Sequence, residues 1–168
     1  VIAAKSAEAL RVMNDKIRSR EILKYYLCIT LGRPTPAEGT LSGYLFKDES
    51  KKQVFVRRVP SPGAKTAITH YKTLLSRGAL SLVECELMTG RTHQIRAQFA
   101  AAGHPLLGDG KYGRGEINRR YGEEKQALYS YKLTFAFRTD AGALNYLNGK
   151  TVEIKNIPFC AKYFPDYH

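Results

Sequence analysis

The spacing of apolar and polar positions divides the chain into helical and extended segments. Apolar side chains recur every three or four residues over about 6–20, which predicts an amphipathic helix there. Ser6 suits its N-cap, because the hydroxyl oxygen can accept a backbone N–H of the first turn. The aromatic and β-branched run at 22–30 follows and predicts a strand.

Short extended runs separated by turn residues make up much of the remaining sequence. A loop rich in proline and glycine covers 32–39. Consecutive strands on short connections favour antiparallel pairing. The further predicted strands lie near 41–46, 52–59, 66–75, 79–88, 127–137 and 150–155.

The pattern becomes helical again in the middle of the chain. Alanines over 92–102 predict a second helix, which Gly103 ends. A glycine-rich loop covers 103–115, and the charged stretch 116–125 fits either a short helix or an ordered loop. We therefore expect an α+β fold, in which a mostly antiparallel sheet carries a few flanking helices, as one domain over 1–168.

Charge is the most unusual property of this sequence. The 168 residues hold 27 Lys and Arg against 15 Asp and Glu, a net charge of +12, which favours a polyanionic partner. Residues 50–83 contain no acid. This basic stretch fits either a solvated strand surface or a set of phosphate contacts. Its candidate RNA-binding residues are Lys51, Lys52, Arg57 and Arg58.

Other features narrow the class of protein. The chain has three cysteines, Cys28, Cys85 and Cys160, which are too few for a disulfide framework and cannot all pair because their number is odd. We therefore expect reduced thiols and a cytoplasmic location. No apolar run approaches the ~20 residues of a membrane span. The four histidines lack metal-ligand spacing, and Gly108–Gly113 lacks the spacing of a phosphate loop. Cys85 alternates with two glutamates, which favours a core position.

The chain begins Val-Ile-Ala-Ala, without Met. These apolar residues are typical of the end of a buried strand and do not form a signal peptide. We expect that the chain is part of a longer protein whose folded domain continues upstream.

The densest polar segment is 89–96, at the start of the second helix. Free N–H groups at a helix N-terminus attract anions. The segment either forms an anion or polar-ligand site or is a solvated turn capped by Thr92. The side chains available for binding are Arg91, Thr92, His93, Gln94 and Arg96.

Arg96 lies on the side of the helix that we expect to face the sheet. A buried guanidinium is costly unless a carboxylate pairs with it. We therefore expect an acidic partner that is missing.

Two long motifs resemble those of RluA-type pseudouridine synthases. The first is Leu87-Met-Thr-Gly-Arg-Thr-His-Gln-Ile-Arg96, and the second is Gly103-His-Pro-Leu-Leu-Gly-Asp109 followed by Tyr112-Gly113. Shorter matches extend the resemblance over most of the chain: Lys24-Tyr-Tyr26, Pro36-Ala-Glu-Gly39, Ala67-Ile-Thr-His-Tyr71 and Ala127-Leu-Tyr-Ser130.

The resemblance implies an enzyme that isomerises uridine in structured RNA, ribosomal or transfer RNA, after flipping the base into a pocket. It implies no cofactor. Tyr26 matches the tyrosine that stacks on the base and is implicated in removing the C5 proton. Arg96 matches the arginine that pairs with the catalytic aspartate, and Leu128 matches an apolar residue of the pocket. Arg91 and His93 match motif positions near the RNA.

Two departures from the family pattern affect these expectations. The family's nucleophilic aspartate lies in His-Arg-Leu-Asp-x-x-Thr-Ser-Gly, just before a strand that reads like Val1–Lys5, and none of the chain's aspartates has that context. The chain alone is therefore expected to be inactive. Tyr129-Ser130 replaces the common His-Ala. The pocket's details are expected to differ for that reason.

Two other interpretations stay open. The chain could be a non-catalytic RNA-binding module, or an enzyme that uses the 91–96 segment for a small anion. Several phosphate contacts make binding fall steeply with salt, whereas a one-anion site responds weakly. We expect no membrane contact and a monomer.

Overall fold

Seven antiparallel strands form one sheet through the molecule, in a computed structural model that describes residues 2–167. The strand order is β3-β2-β4-β5-β1-β6-β7. The helices are α1 (Ala7–Arg18), α2 (Gln94–Ala101), α3 (Gly115–Tyr121) and α4 (Pro158–Tyr163), with a 3₁₀ helix at Gly142–Leu147. The strands are β1 (Ile22–Leu31), β2 (Glu38–Asp48), β3 (Gln53–Arg57), β4 (Lys65–Arg77), β5 (Leu80–Leu87), β6 (Leu128–Phe135) and β7 (Thr151–Glu153).

The expected α+β class and the antiparallel pairing are confirmed. Strand β2 is longer than predicted, because its polar first residues pair with β4 from Glu38 onward. The 3₁₀ helix and α4 were not predicted. The expectation that the chain starts in a buried strand is wrong for residues 2–4, which are exposed and outside any strand, while residue 1 lies outside the described part.

The two faces of the sheet carry different helices. On one face, Leu27 and Ile29 of β1 pack in a core cluster with Phe164 and Cys160. On the other face, Cys28 packs in a second cluster with Ile95 and Phe99 of α2. The alternation of side chains along β1 places its odd and even residues on opposite faces, so Tyr25 and Tyr26 belong to different clusters.

Helix α1 covers the α2 face of the sheet at a different place. Ser6 caps it by accepting the backbone N–H of Ala9, and Met13 packs in a cluster with Ile22 at the start of β1. Lys16, almost fully buried, donates to the Glu21 carboxylate at 2.9 Å. None of the helices within residues 2–167 is long and apolar enough to cross a lipid bilayer.

Candidate active site

The candidate site lies on the part of the α2 face between the two helices. Ile22 contacts the α1 cluster and Cys28 contacts the α2 cluster. Between them on the same strand and face lie Lys24 and Tyr26, both only half-buried. Tyr26 packs against the α2 cluster, as does Leu128, which lies opposite Cys28 on β6. The structure thus brings the predicted Tyr26 and Leu128 to one apolar wall beside an open surface.

The loop from Thr89 to His93 forms the neighbouring wall of this surface. Gln94 holds it from beneath, because its side-chain oxygen accepts the Thr89 hydroxyl at 2.8 Å and the Arg91 N–H at 3.0 Å. The Gln94 amide nitrogen donates to the Ile68 carbonyl at 3.0 Å and to the hydroxyl of Thr69 at 2.9 Å.

Gln94 therefore acts as a support for the loop. It is buried, and all four of its hydrogen-bonding positions are used. No group remains for the contact with RNA that the sequence suggested. Arg91 and Thr92 are exposed, as an RNA contact requires. Thr92 is not the cap, since α2 begins at Gln94 and its N-cap is His93.

Arg96 does not lack a partner. Its Nε and Nη2 each lie 2.8 Å from an oxygen of Asp109, so the two side chains form a bidentate ion pair. The expectation of a missing acid is wrong for this reason. Arg96 also does not face the sheet. Gln98 does, donating to the Leu41 carbonyl and accepting from the Thr69 hydroxyl.

Asp109 is fully buried and accepts from backbone as well as from Arg96. The N–H groups of Lys111 and Tyr112 each donate to its Oδ1 at 2.9 Å. Burial alone would raise the pKa of Asp109, but these three partners outweigh it and hold the pKa below the usual value. The Asp109 carboxylate is therefore ionised, and it raises the pKa of Arg96 through the same hydrogen bonds.

Tyr112 joins three parts of the site. Its hydroxyl accepts the Val54 N–H of β3 at 2.8 Å and lies 3.0 Å from Nδ1 of His93. Its ring lies under the Arg96 guanidinium, 5.3 Å from the ring centre. Tyr112 thereby links β3 to the loop that carries His93.

His93 is held as a neutral imidazole. Burial lowers its pKa, and the positive charges of Arg96 and Lys111 lower it further. Its backbone φ of 52° is left-handed, so the loop turns sharply where α2 begins. The site thus presents a neutral imidazole beside exposed basic side chains.

The basic stretch lies on the hairpin of β2 and β3. Lys51, Lys52, Arg57 and Arg58 are all exposed. The hairpin is attached to the site region, because Lys111 donates to the Lys52 carbonyl at 2.6 Å. A cavity of about 190 Å³ separates the hairpin from the loop, and its basic lining residues are Lys47, Lys65 and Arg91.

No cluster of three or more metal-ligating side chains occurs within residues 2–167. Cys85 is fully buried, with its sulfur 3.8 Å from that of Cys28, which places it in the core as predicted. The residue that sequence reasoning missed is Asp109. The glycines on both sides of it were a signal for an unusual backbone, but not for its partner.

The chain is similar in sequence to known RNA pseudouridine synthases. The sequence profile of the RNA pseudouridylate synthase family matches residues 1–101. An uncharacterized RNA pseudouridine synthase of Bacillus subtilis, YhcT, is 38% identical over 137 residues, which are 79% of this chain and 42% of that protein. Ribosomal large subunit pseudouridine synthase D of Borreliella burgdorferi is 31% identical over 133 residues, 79% of this chain and 40% of that protein.

A solved structure has the same fold. The human protein RNA Pseudouridylate Synthase Domain Containing 4 superposes with a TM-score of 0.70 at 22% identity, over 92% of this chain and 65% of that one. The chain spans less than half the length of the two bacterial relatives named above.

Proposed function

Because the chain belongs to the RNA pseudouridylate synthase family, we propose that it forms the RNA-contacting and base-holding part of an RNA pseudouridine synthase. The substrate is a uridine in structured RNA, either ribosomal large-subunit RNA or transfer RNA, and the location is cytoplasmic. In the reaction the bond from N1 to C1′ breaks and a bond from C5 to C1′ forms. The proton on C5 leaves, and N1 ends protonated, so atoms balance without an added reagent.

The position of Tyr26 carries this proposal. It lies half-buried on the open face between α1 and α2, with its ring against an apolar cluster. A flipped base needs such a stacking partner with a solvent-reachable side. The proposal gives Tyr26 the stacking contact and the removal of the C5 proton, and gives Leu128 the apolar wall.

The nucleophile in this proposal comes from outside the 168 residues. Asp109 is unsuitable, because its carboxylate is fully buried and both oxygens are bonded. Within residues 2–167, Arg96 uses only Nε and Nη2 for hydrogen bonds. The remaining Nη1 is the group that we assign to the supplied aspartate. Arg91, Thr92 and His93, with the hairpin residues Lys51, Lys52, Arg57 and Arg58, would contact the RNA.

The test compares the full product of the natural gene with the 168-residue chain. Both proteins are given RNA that carries tritium at C5 of uridine, and tritium released to water is counted. We expect release from the full product only. Release by the chain alone at the full rate would place the nucleophile within it. RNA binding without release by either protein would favour the non-catalytic module.

Two variants of the full product test the assigned roles. Tyr26→Phe keeps the ring, so RNA affinity should persist while the rate of tritium release falls by at least about 100-fold. The matched control is Tyr146→Phe, since Tyr146 is exposed on the 3₁₀ helix and its loss should leave the rate unchanged. A Tyr26→Phe rate within a few fold of wild type would remove the proton-transfer role.

A further inference from the structure

A second cavity opens beside the base site, and Arg91 is the one lining residue to which a role is assigned above. It has a volume of about 350 Å³ and lies between the C-terminal end of α1, the first residues of β1 and the loop after β5. Four basic residues line it: Arg18, Arg20, Lys24 and Arg91. Lys24 precedes Tyr26 by two residues on the same face, about 7 Å along the strand. The cavity is therefore a direct neighbour of the proposed base pocket.

The cavity's positive charge is largely uncompensated. Within residues 2–167, neither Arg20 nor Lys24 forms an ion pair, and the side chain of Arg91 donates only through Nε, to the Thr66 carbonyl. Arg18 has only a solvent-exposed contact with Asp15, at 3.3 Å.

The acidic lining residue, Glu86, does not neutralise the positive charge of the cavity. Glu86 lies directly opposite Tyr25 in the β1–β5 ladder, so its side chain belongs to the face away from Lys24. Several guanidinium and ammonium groups around one cavity match the chemistry of a phosphate, whose oxygens accept charge-assisted hydrogen bonds.

The backbone at Arg20 gives a second, independent observation. Its φ is 59°, in the left-handed region, at the position after a helix end where glycine is the usual residue. The N–H of Arg20 bonds the Ile17 carbonyl at 3.2 Å, and the N–H of Glu21 bonds the Lys16 carbonyl at 2.9 Å. An arginine therefore occupies a strained glycine position at the rim of a basic cavity. Strained positions are common where a side chain has a binding role.

Hydrogen bonds of the next residue, Glu21, stabilise the turn that contains Arg20. Glu21 is buried and accepts from Lys16 at 2.9 Å, from the Arg138 N–H at 2.8 Å and from the Thr139 N–H at 3.1 Å. The strain at Arg20 is therefore maintained by buried contacts on its neighbour, and Arg20 and Lys24 line the same cavity.

From these observations we propose that this cavity binds a backbone phosphate of the RNA next to the target uridine, with Arg20 and Lys24 as its main ligands. The proposal rests on the proposed function, since it takes the RNA as the source of the phosphate. It adds a contact that is separate from the β2–β3 hairpin and would fix the strand on one side of the flipped base.

Arg20→Gly tests the proposal, because it removes the side chain and relieves the backbone at the same time. The 168-residue variant should melt at the same temperature as wild type or higher. Its affinity for a fluorescent uridine-containing stem–loop RNA should nevertheless fall about 5- to 10-fold at 0.1 M salt. The magnitude of the slope of log affinity against log salt concentration should decrease by about 1, which is the expectation for one lost phosphate contact. The matched control is Lys155→Ala, which removes an exposed charge beside α4, on the opposite face.

The outcomes separate the two proposals. Wild-type RNA binding with an unchanged affinity and salt slope in Arg20→Gly would overturn the phosphate site alone. Failure of the wild-type chain to bind RNA would overturn the proposed function as well. A third arm adds inorganic phosphate and follows the melting temperature. If Arg20→Gly loses stabilisation by phosphate yet keeps full RNA affinity, the cavity holds a free anion and the RNA assignment is overturned.

Discussion

At the scale of single residues, the Arg96 guanidinium is a fixed group. Asp109 holds two of its nitrogens at 2.8 Å, and the ring of Tyr112 lies beneath it. An arginine on a flexible surface loop would have to be ordered each time it pairs with a carboxylate. Here two neighbours already order it, so this ordering cost is absent from the proposed contact between Arg96 and the supplied aspartate.

The ion pair has a measurable consequence for stability. In Asp109→Asn the shape is kept, but Arg96 is left partly buried without a counter-charge. Breaking a buried pair in this way should lower the free energy of unfolding by about 3–5 kcal/mol, measured by urea denaturation. The same substitution at Asp166, whose pair with Arg77 is exposed, should change it by under about 1 kcal/mol. Equal losses in the two variants would contradict this account.

At the residue scale, sequence reasoning reached the chemistry but not the partner. The partly buried Arg96 was expected to need a carboxylate partner, and Asp109 is that partner. The identity of Asp109 depends on how the loop after α2 folds back, thirteen positions along the chain. Glycines enforce that path, since a Cβ on Gly113 would lie 2.1 Å from the Asp109 carbonyl oxygen. Short-range patterns carry no information about a contact of this kind.

At the scale of elements, the β2–β3 hairpin is both a strand pair and a charged arm. Its exposed Lys51, Lys52, Arg57 and Arg58 extend away from the core. The bonds from Val54 to Tyr112 and from Lys111 to the Lys52 carbonyl tie it to the site region. The arm is therefore attached to the loop that carries Lys111 and Tyr112.

Neutralising the hairpin tests its contact with RNA. The double variant Lys51→Ser/Arg58→Ser should lower RNA affinity and reduce the salt slope by about 1.5 units, which is the expectation for two lost phosphate contacts. Binding would be followed by fluorescence anisotropy at several salt concentrations. The control is Arg119→Ala/Lys155→Ala, which removes two exposed charges beside α3 and α4. An identical slope change in both variants would mean that only net charge matters.

Elements with strong periodicity were predicted closely, and weakly patterned ones were not. The first helix was expected over 6–20 and spans Ala7–Arg18. The start of β2 was assigned to a loop because 32–39 is rich in proline and glycine, yet Glu38 and Gly39 pair with Lys72 and Tyr71 of β4 and form a strand. Tertiary pairing thus outweighed local preference there.

At the scale of the whole molecule, the two faces of the sheet differ: one is closed by the core and the other carries the candidate site. One face is closed by the core cluster that contains Leu27 and Phe164. The other face carries α1 and α2 and, between them, the surface with Lys24 and Tyr26. The antiparallel class followed from consecutive strands on short connections. The strand order, in which β1 lies between β5 and β6, is a long-range property that the sequence pattern did not reveal.

The place of β1 in that order also determines how the molecule opens. Strand β1 is hydrogen-bonded to β5 over Tyr25–Leu31 and to β6 over Ile22–Cys28, whereas β3 and β7 are edge strands with one partner each. Backbone amides in such a central strand exchange with deuterium only in the rarest openings. We expect β1 peptides to exchange slowest and β3 and β7 peptides fastest, as measured by mass spectrometry. Equal exchange in β1 and β3 would contradict this expectation.

This ranking means that the molecule opens in a set order as conditions become harsher. The hairpin with its basic side chains frays while the strand beneath Tyr26 is still closed. In mild denaturant the proposed RNA contacts of the hairpin should therefore be lost before the proposed base pocket, so that release of RNA and loss of the pocket are separate events.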